Sequence, residues 1–323
     1  MQLKKAAFRR IGAGFCGTVW ALELNHPPAQ EYAFKREDGG PGRSLEKEYE
    51  MHKLVLHAME LYEQANISRP LHVSIPRCHQ FMKPDDSWWS ENLERFPDGY
   101  APCNTLRSDR IPPVGQQTRE ILIDKFCPAR LVSQIKDSDA NRDCLIRPYL
   151  GRHRYNSKRP KSGFTAFSLR NFPLHLDQME DLEIPLTDLV IYSELMAETL
   201  AILHWFGMMD ANDVEFVLAP PRKNGKKPAI ISNILGDHVM WILAFDCCNE
   251  ISFDIEGVEQ AVRAFFKNDP FYPRPTSSPG LWSAFRVKYI QTSSEILAEL
   301  ADKTLLDLPV RFIDGVESKS VKA

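Results

Sequence analysis

The sequence has few of the features that cross-link a chain or place it in a membrane. Its seven cysteines are scattered and include no C-x-x-C pair, which argues against a disulfide framework and against a zinc site. No uninterrupted apolar run approaches the length of a membrane-spanning helix. The residues after Met1 contain no apolar segment typical of a secretory signal. We therefore expect a soluble, cytoplasmic protein with no membrane partner.

The chain also has little net charge, a formal −3 at pH 7. Any contact with nucleic acid must then come from a local basic patch and not from the field of the whole molecule, and we expect no DNA partner. The 323 residues, 43% of them hydrophobic and 26% charged, are typical of a globular protein with room for two packed lobes.

A glycine-rich motif stands near the start of the chain. Gly12, Gly14 and Gly17 have the spacing G-x-G-x-x-G. Residues 18–22 alternate in polarity and favour a strand, whereas a Rossmann dinucleotide site needs a helix there. The motif therefore predicts a strand-turn-strand hairpin that folds over a phosphate, with Lys35 on the next strand reaching beneath it.

A helix predicted over residues 44–56 could supply a partner for this lysine. Glu48 is the candidate we favour for an ion pair with Lys35, because a helix beside the sheet could bring it to that lysine. Glu46 and Glu50 remain alternatives, and a solvated helix face would explain all three glutamates equally well.

The pattern of elements divides the chain into two lobes. We predict a β-rich N-lobe over residues 1–150 and a helical C-lobe over residues 151–316, joined by a hinge-like turn near Gly151, with a frayed tail at 317–323. Residues 83–118 look like an ordered insertion because they contain two tryptophans. The predicted strands cover 8–35, 73–81, 121–126 and 144–150 in the N-lobe and 216–218 and 240–245 in the C-lobe, and the predicted C-lobe helices cover 187–206, 255–266 and 281–300.

Four acidic residues follow two elements of the C-lobe. Asp210, Asp213 and Glu215 lie in the loop after a long buried helix, and Asp246 ends a later strand. This order is typical of an α+β, protein-kinase-like two-lobed fold, in which the first and last aspartates are catalytic or bind metal. Glu215 stands where a kinase keeps asparagine, and no glycine follows Asp246.

With a charged Glu215 in place of a neutral asparagine, this predicted site is strongly acidic. Such a site could hold magnesium. It equally suits a guanidinium or ammonium group, because carboxylates accept paired hydrogen bonds from a planar fork. One or two of the acids would also be explained by local capping or pairing.

A basic stretch begins at the predicted lobe boundary. Its cations are Arg152, Arg154, Lys158, Arg159 and Lys161. Clustered cations with nearby aromatic side chains are typical of contacts to nucleic-acid backbone and unpaired bases. A run of charge is also commonly just a solvated face.

Four segments, 10–20, 144–151, 210–218 and 268–275, give the chain a specific resemblance. It resembles a fungal family of kinase-like proteins that includes the arginine-containing cyclodipeptide synthases. Members often have a zinc-finger label, which no zinc-ligand spacing in this chain supports.

The resemblance implies a function. Arginine and a second amino acid would be taken from aminoacyl-tRNAs and joined into a cyclo-Arg-Xaa diketopiperazine. The glycine hairpin would receive the terminal adenosine of the tRNA, the basic stretch would hold its backbone, and the acidic residues would grip arginine and free the attacking amine. The ester is already activated, so no cofactor would be required, although magnesium could be bound.

Two rival hypotheses remain. The first is an ATP- and magnesium-dependent phosphotransferase that uses Lys35, Glu48, Asp210 and Asp246. The second is a kinase-like module without catalysis that binds a partner through residues 83–118.

Overall fold

A computed structural model describes residues 6–23, 31–65, 73–154, 167–222, 229–268, 270–300 and 305–321. Contacts within the chain divide it into two compact units. The N-terminal unit comprises Met1–Lys53 and Pro76–Ile111, and the C-terminal unit comprises Leu54–Ile75 and Pro112–Ala323.

The elements alternate along the chain. The strands are β1 (Phe8–Ala13), β2 (Thr18–Leu22), β3 (Tyr32–Arg36), β4 (Val73–Ser74), β5 (Cys78–Met82), β6 (Thr105–Asp109), β7 (Ile146–Tyr149), β8 (Phe172–His175), β9 (Glu215–Ala219), β10 (Ile231–Asn233) and β11 (Gly236–Leu243). The α-helices are α1 (Leu45–Gln64), α2 (Trp88–Asn92), α3 (Gln116–Phe126), α4 (Val132–Lys136), α5 (Leu176–Asp181), α6 (Leu186–Trp205), α7 (Ile255–Lys267), α8 (Pro279–Glu299) and α9 (Leu308–Ser320). Among the described helices, none combines the length and the apolar character needed to cross a bilayer.

The N-terminal unit is built on a five-stranded antiparallel sheet in the order β1-β2-β3-β6-β5. One face buries an aromatic cluster that includes Phe8, Trp20 and Phe34 from the first three strands. Trp89 and Phe96 complete the cluster from the segment predicted as an insertion. That segment is ordered, as expected, but it is not separate from the fold, because it also supplies β6, which pairs with both β3 and β5.

The sequence offers Ser44 as the cap of helix α1, and the structure confirms it. The Lys47 amide donates to Ser44 Oγ at 3.2 Å, which satisfies one of the free N–H groups of the first turn. The helix is longer than predicted and ends at Gln64. Its first half belongs to the N-terminal unit and its second half to the C-terminal unit.

The C-terminal unit contains a second sheet in the order β10-β11-β9-β7-β8, with β4 parallel beside β11. Strands β9 and β11 are antiparallel, and Glu215 at the start of β9 is opposite Leu243 at the end of β11. The loop that precedes β9 and the loop that follows β11 therefore leave the sheet at the same end of these two strands.

Helix α6 is the centre of this unit's core. Most of its residues from Tyr192 onward are buried, as expected for a helix that is apolar on nearly all sides. Its polar contacts with α8 include two hydrogen bonds: Ser193 Oγ donates to Leu281 O at 2.8 Å, and Trp205 Nε1 donates to Ser293 Oγ at 2.8 Å.

Three sequence-based predictions of local structure are wrong. Residues 121–126 belong to α3 and are not a strand, since a short apolar run fits either element. The sequence also predicts Thr187 as the cap of helix α6, but the helix starts at Leu186 directly after Pro185. Helix α9 extends to Ser320 through most of the tail predicted as frayed, because one of its faces is buried through residues such as Phe312 and Val316.

The boundary between the units also differs from the one predicted near residue 150. Residues 112–150 lie in the C-terminal unit, where β7 pairs with β8 and β9. Gly151 continues this packing, since its amide donates to Pro270 O at 3.0 Å. A Cβ atom at Gly151 would lie 2.2 Å from Tyr272 O. The turn predicted as a hinge is thus packed inside one unit.

The fold class is α+β and kinase-like. A β-rich N-terminal unit carries a glycine hairpin and a helix, and a mainly helical C-terminal unit carries a buried helix, an acidic loop and a strand that leads to an aspartate. That succession is the one found in protein kinases.

Candidate functional site

The glycine motif forms the predicted hairpin. Strands β1 and β2 pair from Ala13 and Thr18 outward, and the Gly14 amide donates to Gly17 O at 2.8 Å across the turn. The motif is followed by strand β2, as expected for a kinase-type hairpin and unlike a Rossmann turn.

The three glycines of the motif have different structural roles. Gly17 has φ of +151°, and a Cβ atom there would lie 2.0 Å from Arg36 O. No atom lies within 4 Å of a Cβ built at Gly14, and at Gly12 the nearest atom is 3.4 Å away. Only Gly17 is therefore required by close packing, whereas the space above Gly14 is open for a ligand to approach the backbone.

Lys35 and Glu48 form an ion pair inside the N-terminal unit. Lys35 Nζ lies 2.5 Å from Glu48 Oε2, and the side chains are 23% and 6% exposed. Lys35 is opposite Val19 in the β2–β3 ladder, so it lies on the strand next to the hairpin. Of the two alternative partners, Glu46 pairs with Lys83 and Glu50 with Lys53. This pair is the one favoured from the sequence.

Asp210 is buried and accepts hydrogen bonds on both carboxylate oxygens. Oδ1 accepts from the amides of Asn212 and Asn249 at 3.0 and 2.9 Å. Oδ2 accepts from Asn249 Nδ2 at 3.2 Å and from Gln260 Nε2 at 3.0 Å. Four donors use most of the acceptor capacity of a carboxylate. In this geometry Asp210 organises the loop, which differs from the catalytic role expected from its place in the sequence.

Glu215 has a cationic partner from the same unit. Arg147 Nη2 on β7 donates to Glu215 Oε2 at 2.5 Å, and each side chain is 22% exposed. The sequence predicted that an acid here could take a guanidinium group from a substrate. In the structure this carboxylate accepts a hydrogen bond from Arg147 of the same chain.

Asp246 and the acidic loop are joined through backbone contacts. Asp246 is 7% exposed. The neighbouring Cys247 carbonyl accepts from Asn212 Nδ2 at 3.1 Å, and Cys248 Sγ lies 3.6 Å from Asn212 O. The loops that carry Asp210 and Asp246 are therefore held against each other, as the kinase-like order predicts.

Backbone strain is concentrated at these two loops. Met208, Ala211, Asp213 and Ala244 have φ of 48°, 51°, 64° and 65°. Residues other than glycine pay an energetic cost in this region, and such positions cluster at functional sites. Asp213, half-buried, is the one acidic residue among them.

The arrangement does not form a preassembled metal centre. In the part of the chain that the structure describes, no group of three or more His, Cys, Asp or Glu side chains is placed to hold a metal ion. Asp210 accepts from amide donors and Glu215 from Arg147, so neither of these two carboxylates is fully available to a metal ion. One carboxylate together with substrate phosphates is an ordinary magnesium environment.

The predicted basic stretch is described only at its start. Arg152 and Arg154 are exposed, and the Arg154 amide donates to Asp177 Oδ1 at 2.8 Å. Lys158, Arg159 and Lys161 lie outside the described residues.

Sequence reasoning missed the partners that define the site. Asn249 and Gln260 are separated from Asp210 by 39 and 50 positions, and no local pattern links them to it. No local pattern links Arg147 to Glu215 either, because their pairing depends on the adjacency of β7 and β9.

Comparisons with known proteins give a limited picture. A family described as "Zinc finger protein" matches residues 240–301. That segment contains no histidine and only Cys247 and Cys248 as thiols, so it lacks the ligand set of a zinc finger. A search of curated proteins finds no match.

Two solved structures align along the chain. APH(2")-IIia in complex with GDP and kanamycin is 8% identical, with 98% of this chain and 95% of that chain covered and a TM-score of 0.21. Wild-type aminoglycoside 2'-phosphotransferase-IIIa in complex with GDP is also 8% identical, with 98% and 94% covered and a TM-score of 0.21. At this sequence identity and TM-score the two structures support no argument about this chain. The function proposed below is argued from the side chains of the site.

Proposed function

We propose that this chain is a kinase-like transferase whose N-terminal unit binds the phosphate of an adenine nucleotide. The observation that carries the proposal is the ion pair between Lys35 and Glu48, with Nζ and Oε2 at 2.5 Å. In kinases the corresponding pair positions the lysine for the α- and β-phosphates of ATP. The open space above Gly14 supports the same role, because backbone can approach a phosphate there.

The first specific candidate is an ATP-dependent phosphotransferase. Magnesium would supply charge neutralisation at the transferred phosphoryl group. Asp246 would be its protein ligand, and Asp213 would accept the proton of the attacking hydroxyl. Asp210 would hold the loop in place through its four amide donors.

Calorimetric titration of the full chain with ATP and magnesium tests this candidate. We expect binding in wild type and a loss of about tenfold or more in affinity in Lys35→Ala, because a charge-assisted phosphate contact is removed. Lys53→Ala is the matched control, since Lys53 forms an exposed ion pair with Glu50 in the same unit. Unaltered affinity in Lys35→Ala would contradict phosphate binding at this lysine.

The second specific candidate is the aminoacyl-tRNA-dependent cyclodipeptide synthase, and the Arg147–Glu215 pair favours it. A kinase uses a neutral asparagine at this position for metal, whereas here the carboxylate of Glu215 is paired with Arg147. Reaction of an aminoacyl ester involves no phosphoryl transfer, so the absence of the asparagine metal ligand would not impair it. The phosphate and adenosine would then come from the 3′ end of tRNA.

The chemistry of this candidate is two successive aminolyses. The α-amine of one aminoacyl ester attacks the ester carbonyl of the other. An amide bond forms, the ester C–O bond breaks, and the 3′ hydroxyl of one tRNA leaves with a proton. The second amine then attacks the remaining ester, which closes the six-membered ring and releases the second tRNA. Asp213 or Asp246 would accept the amine proton, and Arg152 and Arg154 would contact tRNA phosphates.

One assay separates the two candidates. The full chain is given pre-charged arginyl-tRNA and a second aminoacyl-tRNA without nucleotide, and products are analysed by mass spectrometry. A cyclic dipeptide that disappears after RNase treatment supports the synthase. Product from free amino acids, or only with ATP, would contradict it. ATP turnover with no dipeptide supports the phosphotransferase, and neither activity would indicate a binding module.

A further inference from the structure

The segment that follows Lys35 forms hydrogen bonds with the glycine hairpin. Asp38 Oδ1 accepts from the Thr18 amide at 2.7 Å and from Thr18 Oγ1 at 2.9 Å, and Asp38 Oδ2 lies 2.7 Å from Thr18 Oγ1. The amides of Gly39 and Gly40 donate to Cys16 O at 3.2 Å and Phe15 O at 3.1 Å. One short segment therefore contacts both the tip and the second strand of the hairpin.

Asp38 is in turn held by a buried arginine. Arg36 Nε donates to Asp38 Oδ2 at 3.1 Å, and the Arg36 side chain is 2% exposed. Burial of a guanidinium this deeply is costly unless a counter-ion and hydrogen-bond partners replace its lost hydration. Arg36 Nη2 donates to Ala101 O at 2.7 Å, so its second contact comes from a different segment.

That segment surrounds the guanidinium with aromatic rings. Arg36 Cζ lies 5.0 Å from the ring of Trp89, 4.6 Å from that of Phe96 and 5.1 Å from that of Tyr100. We call these three rings the aromatic cage. Desolvated cation–π contacts are among the stronger ones of their kind. The cage thus fixes the position of Arg36, and Arg36 fixes Asp38.

We propose that Thr18, Arg36 and Asp38 form a latch through which residues 88–101 set the position of the glycine hairpin, and with it the affinity of the Lys35 site for phosphate. The inference rests on the proposed function, since it assigns a positioning role at the same site. Arg36 directly follows Lys35 on β3, and the Arg36 carbonyl and Asp38 Oδ1 are the nearest groups to a Cβ atom built at Gly17, at 2.0 and 2.6 Å. The arginine of the latch and Lys35 therefore share one strand.

The first experiment separates positioning from stability. Thr18→Val keeps the shape of the side chain and removes the hydroxyl, which contacts Asp38 and also accepts from Trp20 Nε1 at 2.7 Å, whereas Thr18→Ser keeps the hydroxyl. Affinity for three probes is measured by calorimetry: ATP with magnesium, inorganic tripolyphosphate, and adenosine. We expect Thr18→Val to weaken ATP and tripolyphosphate about tenfold, the loss typical of a hydrogen bond to a charged group. Adenosine binding is expected to be unchanged, and Thr18→Ser is expected to restore wild-type affinity.

The second experiment tests transmission from the cage. Tyr100→Leu removes one ring from Arg36 and from Trp20 of β2, whose ring centroid lies 5.0 Å from that of Tyr100, and Tyr100→Phe is its control because the ring remains. Asp38→Ala leaves the contact between Tyr100 and Trp20 in place and so tests the latch itself. Hydrogen exchange is followed at the backbone amides of Thr18, Gly39 and Gly40, so the readout is at residues other than the substituted Tyr100. We expect exchange about tenfold faster in Tyr100→Leu and in Asp38→Ala, and unchanged in Tyr100→Phe.

The outcomes are distinguishable. Absence of ATP and tripolyphosphate binding in wild type would overturn the proposed function. The hydrogen-exchange experiment alone would then test whether the latch positions the hairpin. Unchanged exchange at the hairpin in both Tyr100→Leu and Asp38→Ala would overturn the latch whatever the protein binds. Equal loss of affinity for adenosine and tripolyphosphate in Thr18→Val would show a general structural effect and would also overturn it.

Discussion

Arg147 Nη2 donates to Glu215 Oε2 at 2.5 Å, so the carboxylate at the start of β9 is paired with a guanidinium of the same unit. Both side chains are only 22% exposed, which limits screening by water. The negative charge of Glu215 is therefore balanced by a positive charge on the neighbouring strand β7.

This pair predicts a measurable coupling energy. A double-mutant cycle with Arg147→Ala and Glu215→Ala is expected to give about 1–2 kcal/mol, between the values of exposed and buried ion pairs. Urea unfolding measures it. The same cycle at Arg263 and Glu259, an exposed pair in α7, is the control and is expected to give less than about 0.5 kcal/mol. Equal coupling in both cycles would show that the Arg147 pair is only a surface contact.

The glycine motif predicts different responses at two of its positions. Gly17→Ala is expected to destabilise the hairpin and to lower phosphate affinity, because the new Cβ would lie 2.0 Å from Arg36 O. Gly14→Ala should leave the free energy of unfolding within about 1 kcal/mol of wild type, since no atom lies within 4 Å of its Cβ. Thermal unfolding and ATP titration of both variants check this. Similar behaviour of the two variants would contradict the geometry of the turn.

Asp210 and Asp213 are expected to separate into a structural and a chemical residue. Asp210→Asn places an amide against the donors of Asn249 and Gln260 and should cost about 2–3 kcal/mol of unfolding free energy. Asp213→Asn should leave stability nearly unchanged, because asparagine tolerates the left-handed backbone at this position. Its effect should be a loss of turnover. Full activity in Asp213→Asn would remove this residue from the mechanism.

The N-terminal unit should lose stability in mild acid through His52. Burial lowers the pKa of this histidine from 6.5 to about 4, although its Nε2 contacts Pro76 O at 2.7 Å. A depressed histidine pKa means that the folded state favours the neutral ring. The contribution is complete above pH 6.5 and is lost as the pH falls toward 4, by about 3 kcal/mol at most.

Urea unfolding between pH 7 and pH 4 measures this effect. We expect His52→Gln to show a shallower decline than wild type over that interval. His153→Gln, which changes an exposed histidine, should follow the wild-type curve. Parallel curves for His52→Gln and wild type would show that His52 does not drive the acid sensitivity.

Local patterns in the sequence predicted much of the N-terminal unit. The spacing of Gly12, Gly14 and Gly17, followed by alternating residues, specified the hairpin, because strand and turn chemistry act over a few residues. The pairing of Lys35 with Glu48 was favoured for a similar reason, since β3 and α1 are consecutive. The strand predicted at 121–126 was wrong because a short apolar run has no period that distinguishes it from part of a helix.

The parts of the site that the sequence did not predict depend on distant contacts. Gln260 reaches Asp210 from helix α7, and Arg36 is held by rings more than 50 positions later. Neither residue belongs to a motif. The acidic loop was correctly located, but the local pattern could not tell that Asp210 and Glu215 already have partners within the chain.

Strand β4 has a consequence for the synthesis of the protein. Val73 pairs in parallel with Met240, so the ribosome must add roughly 170 further residues before this strand finds its partner, a separation that slows folding. The five strands of the N-terminal sheet, by contrast, all lie before Ile111. The sheet that carries the glycine hairpin can thus form early, while the segment that interrupts its unit waits for the far end of the chain.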